Sequence, residues 1–223
     1  MIMPSDKDYK ETKKIMKGKK KLRSPFRELS EWILKKYGTP VLNIYEDKMI
    51  PDNSPRLNVV FEYEKDSIKF HNGNSTLSGF DKIRQREVSE QYQSLKNELE
   101  KNNEIFTNGI FVTFSDFESV AKIEANESIS TREVKKLKQE FANGDIWEIS
   151  KAFAGATIFF YTEAQKKKYE KGDKRKEYSQ KYLEILKKHD DFDYYKDKDF
   201  LVSFDTKENF DKNYNGSWFY YYR

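Results

Sequence analysis

The chain has 223 residues, with 42 Lys and Arg against 38 Asp and Glu and no Cys. The missing cysteine excludes a disulfide framework, a thiolate zinc site, a cysteine nucleophile and a thiolate-held iron–sulfur cluster, and a two-histidine metal site would consume both His71 and His189, the only histidines. The mean hydropathy of −0.97 is that of a disordered chain, yet 17 Phe, 15 Tyr and 3 Trp supply the apolar surface of a folded core.

The length allows one large domain or two small ones. No apolar run approaches the roughly 18 to 20 residues of a membrane span, and the N-terminus has no apolar stretch of the secretory-signal kind. The expectation is a cytoplasmic protein. Abundant Lys, Asn, Tyr, Phe and Glu are also what an AT-rich bacterial genome encodes, so a single lysine cluster is a weak signal. Charge is unevenly spread: residues 1–24 hold nine basic and three acidic side chains, a net +6, which leaves the other 199 residues at −2. This predicts a basic, flexible N-terminal extension ahead of a near-neutral body.

In chain order, Ser24 and Pro25 read as the N-cap and first residue of a helix. Phe26, Leu29, Trp32, Ile33 and Tyr37 form its apolar face, Gly38 ends it and Pro40 blocks its return. Strands are predicted over 41–45 and 56–63, the second from alternating Leu57, Val59, Phe61 and Tyr63. Residues 67–70 before His71-Asn72-Gly73-Asn74 read as a short hairpin strand or a loop. A long helix follows over 80–102, then a strand over 110–114, a short helix over 116–125, and a helix over 131–143 opened by Ser130 or Thr131 with Glu133. The second half continues with strands over 145–149 and 157–161 and a helix over 163–188 broken near Gly172. A strand over 200–204, a short helix over 208–214 and a last aromatic strand over 218–222 complete it.

The order of elements in the first half returns in the second. Residues 38–44, 57–64 and 110–116 lie over 143–149, 156–163 and 200–206, at spacings of 105, 99 and 90. The fold expected is α+β (or α/β): two pseudo-repeated α-β-β-α-β-α units with antiparallel or mixed sheets, residues 25–127 and 128–223, after the 1–24 extension.

No phosphate-cradling glycine motif, H-E-x-x-H or G-x-S-x-G occurs. His189 sits at a helix C-terminus, where its charge favours the dipole. Glu62 and Glu64, on alternate strand positions, share one sheet face. The acidic stretch Asp190, Asp191, Asp193, Asp197 and Asp199 has the oxygen ligands of a hard-cation site but lacks EF-hand spacing, and reads as a solvated loop. No cofactor, metal ligand or catalytic residue is assigned. The function expected is a non-catalytic macromolecule-binding protein, most plausibly of the inhibitor or toxin-neutralising kind, with Trp218, Tyr220 and Tyr222 as interface aromatics. The alternative is a nucleic-acid-associated protein that contacts polyanions through Lys13, Lys14, Lys17, Lys19, Lys20, Lys21 and Arg23 and uses an aromatic sheet face. A metal-dependent hydrolase with Asp and Glu ligands is the third class.

Overall fold

The computed structural model describes residues 3–100, 109–170, 173–196 and 200–223. It divides into two units at Val120 and Ala121, ahead of the 127/128 boundary drawn from the sequence. The positions beyond Glu100 in the long helix, the break at Gly172, and Asp197 and Asp199 of the acidic stretch lie outside the described residues.

The first unit contains α1 (Lys7–Met16), so that part of the basic segment is an ordered helix where a flexible extension was expected. Tyr9 and Thr12, three residues apart on one helix face, are buried. The Tyr9 ring stacks on Phe117 at 5.2 Å, and Thr12 Oγ1 accepts a hydrogen bond from Asn43 Nδ2 at 2.8 Å. Two anchoring residues hold the helix down although its other faces are charged. Gly18, at φ +69°, closes α1 in a Schellman turn: Gly18 N–H donates to Ile15 O at 2.9 Å and Lys19 N–H to Lys14 O at 2.8 Å.

Helix α2 (Phe26–Tyr37) begins one residue later than the sequence suggested, with Pro25 as its N-cap, and ends at left-handed Gly38, whose N–H donates to Leu34 O. Strands β1 (Asn43–Lys48) and β2 (Pro55–Phe61) follow, then α3 (Glu64–Ile68), α4 (Lys82–Glu100), β3 (Phe111–Asp116) and α5 (Phe117–Ser128), within which the division between units falls. Residues 67–70 therefore form no hairpin; α3 takes up 67 and 68, and one bridge, His71 to Phe80, follows. The sheet has the order β1-β2-β3, antiparallel then parallel. One face carries Ile44, Leu57, Val59, Phe61, Val112 and Phe114 against Leu29 and Ile33 of α2 and Val88 and Tyr92 of α4. Each such side chain contributes about 1.5–3 kcal/mol on burial.

The second unit contains α6 (Thr131–Glu140), β4 (Ile146–Ala152), β5 (Gly155–Phe160), α7 (Glu163–Glu170), α8 (Lys174–His189), β6 (Ser203–Thr206), α9 (Lys207–Tyr214) and α10 (Trp218–Tyr221). Ser130 and Glu133 form the capping box anticipated for α6, each side chain bonding the other's backbone N–H. The sheet order is β4-β5-β6, again antiparallel then parallel. Ile149, Ile158 and Phe160 pack on Tyr178, Tyr182, Leu183 and Leu186 of α8. The last aromatic segment is the helix α10, not the strand predicted from its β-favouring residues; packing of Trp218 on Trp147 and Phe210 overrides that propensity.

The fold is thus α+β with two three-stranded mixed sheets. Ile44 pairs with Val59 and Val59 with Phe114 in the first sheet, and Ile149 with Ile158 and Ile158 with Phe204 in the second. The Glu118 carboxylate accepts from Glu64 N–H at 3.2 Å while Glu118 N–H donates to Glu62 O at 2.9 Å. The Glu208 carboxylate accepts from Glu163 N–H at 2.9 Å while Glu208 N–H donates to Tyr161 O at 3.3 Å.

Candidate interaction surfaces

Alternation along a strand gives each sheet a second face. In the first unit this face is polar. Arg56 holds Asp47 with two hydrogen bonds, Nε to Oδ1 at 2.8 Å and the other from a terminal nitrogen to Oδ2. Asn58 Nδ2 donates to Asp47 Oδ1 at 2.9 Å, and Thr113 Oγ1 donates to Asn58 Oδ1 at 2.7 Å, so one chain of bonds crosses all three strands. The Arg56 guanidinium keeps the Asp47 carboxyl below the usual carboxylate range, and burial pushes the neighbouring Tyr45 phenol upward.

In the second unit the corresponding face is aromatic and lies under α9 and α10. Trp147 and Trp218 are nearly parallel at 5.9 Å, Phe210 lies 4.2 Å from Trp218, and Phe159 meets Trp218 at 5.3 Å and Tyr221 at 5.1 Å. Tyr222 donates to Ser150 Oγ at 2.8 Å and Tyr221 to Asp205 Oδ2 at 2.5 Å, which fixes α10 to the sheet. Burial first, and the Asp205 bond next, push the Tyr221 phenol far up. The outer side of this cluster faces solvent: Trp218 is 38% exposed, Phe219 67%, Tyr220 54%, and Phe153, at the tip of the β4–β5 hairpin, 56%.

Phe153 occupies a two-residue turn between paired Ala152 and Gly155 at φ +49°, a region that disfavours an aromatic residue. Buried groups hold the turn in place. Asn126 Nδ2 donates to Phe153 O at 2.9 Å and Gly155 O at 2.8 Å, and its Oδ1 accepts from Tyr182 OH at 2.7 Å. The Tyr195 hydroxyl lies 2.7 Å from Ala154 O and 2.9 Å from Lys122 O. Lys151 Nζ reaches Asn126 O and Glu127 O, each at 3.1 Å, and Ile129 O, serving the carbonyls at the end of α5. Burial lowers the Lys151 pKa.

Of the interface aromatics anticipated from sequence, Trp218 and Tyr220 are exposed, while Tyr222 is half-buried and bonded to the sheet. Phe219 and Phe153 were not anticipated. Reading the β-rich stretches out to Ala152 and back to Gly155 leaves the two-residue spacing of a hairpin, the signal that places Phe153 at a tip.

The basic residues proposed for polyanion contact divide between α1, which holds Lys13 and Lys14, and the stretch from Lys17 to Arg23 that follows it. Lys14 and Lys20 both bond Glu11, at 2.5 and 2.9 Å, and together bring its carboxyl down to about 2. Lys17, Lys19, Lys20, Lys21 and Arg23 are exposed. The aromatic sheet face invoked for nucleic acid is not formed by 218–222, which are helical or follow the helix.

The remaining candidates have structural partners. His71 is buried with Nδ1 2.9 Å from Ser67 O, which makes Nδ1 the donor. His189 Nε2 lies 2.9 Å from Glu133 Oε1, tying the end of α8 to the α6 cap. His189 and Ser130 draw the Glu133 carboxyl down to about 2. Glu62 and Glu64 do not share a sheet face, because β2 ends at Phe61 and Glu64 starts α3. Among the described residues, no group of three or more His, Asp or Glu is arranged to hold a metal ion, and no helix is long and apolar enough to cross a membrane. Comparisons with protein-family models, curated proteins and solved structures find no match to this chain.

Proposed function

We propose that the chain is a non-catalytic protein-binding protein of the inhibitor or neutralising kind, and that the second unit carries its principal contact surface. The observation that supports this is the exposed aromatic group Phe153, Trp218, Phe219 and Tyr220, mounted on a cluster of stacked rings and a braced hairpin. Tyr, Trp and Phe concentrate at the centres of protein interfaces because they exclude much water at little cost in side-chain entropy. A rigid mount reduces the ordering cost of binding further. The positively angled Phe153 backbone fits the same reading, since local strain collects where a side chain must be presented. The engagement of His71 and His189 in structural bonds favours binding over acid–base chemistry. The matching registers and paired Glu118 and Glu208 contacts also support descent of the two units from one duplicated α-β-β-α-β-α element.

The test is affinity capture from the source cells with the wild-type chain and with the triple variant F153G/F219S/Y220S. The partner recovered is then purified and titrated against both. The proposal predicts a folded triple variant whose affinity falls at least about tenfold, a loss of about 1.4 kcal/mol. Equal affinity of the two proteins contradicts it.

A further inference from the structure

We propose a second binding site, in the first unit: the cleft between α1, the segment that follows it and edge strand β1 takes a peptide segment in which apolar side chains are flanked by Asp or Glu. The cleft has a volume of about 430 Å³, with Ile15, Leu22 and Phe26 as its partly exposed apolar lining. That volume lies in the range of sites that enclose a ligand group. Three cations, Lys20, Lys21 and Arg23, also line it. Lys20 is committed to Glu11, whereas Lys19, Lys21 and Arg23 enter no ion pair among the described residues. The Schellman turn at Gly18 and the Lys20–Glu11 bond set the course of this basic segment, so its charge is held at the cleft rather than carried on a loose tail.

The lining also separates an acidic peptide from a phosphate chain. Asp8 and Glu11 stand inside the cleft, and burial, with the Asp47 charge next, raises the Asp8 pKa. A polyanion laid through the cleft meets these carboxylates and leaves the apolar lining unfilled. A peptide places apolar side chains inside and its own carboxylates outward, against Lys21 and Arg23, with exposed Lys19 near them in sequence. Complementary charge of this sort governs register and on-rate, while the apolar contact supplies affinity. Among the described residues β1 pairs with β2 and with no other strand, so its outer edge lacks a strand partner that the backbone of an extended segment would supply.

The experiment is fluorescence anisotropy of the full chain with a labelled peptide of about twelve residues, more than enough to span the 6 residues of β1, that alternates Leu and Phe with Asp and Glu. Comparison probes of equal length are polyglutamate, the same peptide with Lys replacing the acids, and oligothymidylate. The proposal predicts binding of the acidic–apolar peptide alone, weakened at least about tenfold by K19E/K21E/R23E and separately by L22S. The three charge reversals are at exposed positions, so they remain informative if L22S fails to fold. Two results overturn the proposal: no binding of the acidic–apolar peptide, or equally tight binding of polyglutamate or oligothymidylate, which marks an unspecific cationic patch.

Discussion

The two sheets share strand order and pairing sense but differ in what covers their second faces. In the first unit α1 lies over a polar layer and is held by the Tyr9–Phe117 stack and the Thr12–Asn43 hydrogen bond. In the second, α10 lies over Phe159 and Trp147 and is held by ring contacts together with the Tyr221–Asp205 hydrogen bond. Val60 of β2 and Phe159 of β5 occupy corresponding positions in the two registers. The same backbone pairing thus accommodates outward positions of different chemistry. One unit has a hydrogen-bonded, charged face and the other an aromatic face that continues to the surface.

The largest effect expected from breaking this contrast is at Phe210, the buried ring beneath Trp218. F210A should destabilise the second unit by about 3–5 kcal/mol, read by denaturant unfolding, with loss of amide protection in α10. Next comes the polar counterpart. N43A removes the donor to Thr12 and should cost about 1–2 kcal/mol, with faster exchange confined to α1. A double-mutant cycle with T12V should return a coupling of about 0.5–1.5 kcal/mol.

D47N should cost about 0.5–1 kcal/mol at pH 7, since the Asp47–Arg56 pair is only partly shielded from solvent. Because Arg56 depresses the Asp47 pKa in the folded chain, this contribution is complete above the ordinary value of 3.8 and is lost as pH falls through the lower folded value. The gap between wild type and D47N should therefore close in acid; a gap independent of pH contradicts the ion-pair account. The smallest effect is a gain: F153G relieves the positive-φ strain and should raise stability by up to about 1 kcal/mol, measured by thermal unfolding.

Much of this contrast was written locally in the sequence. Gly38 at the end of α2 and the Ser130/Glu133 cap of α6 act through neighbours three or four residues away, so pattern alone located them. The strands were found to within a few residues because one face of each is apolar. Two errors share a cause in long-range packing. Lysines dominate residues 1–24, and the burial of Tyr9 depends on Phe117, more than a hundred residues further along. Residues 218–222 have the composition of a strand, but contact with Trp147 and Phe159 makes a short helix the better cover. Of the exposed aromatic surface, Trp218 and Tyr220 were legible as candidates from the run of aromatics at 218–222; Phe153 was not, because its exposure depends on a hairpin turn braced by Asn126 and Tyr195.

The central claim, that the aromatic surface of the second unit is the contact surface for a protein partner, is tested most directly by calorimetric titration of the purified partner against wild type and F219D. Phe219 is 67% exposed, so a carboxylate there leaves the fold intact while replacing the proposed apolar contact with a charge that must be desolvated on binding. The account predicts unchanged thermal stability and an affinity at least about tenfold weaker. Unchanged affinity with unchanged stability contradicts it.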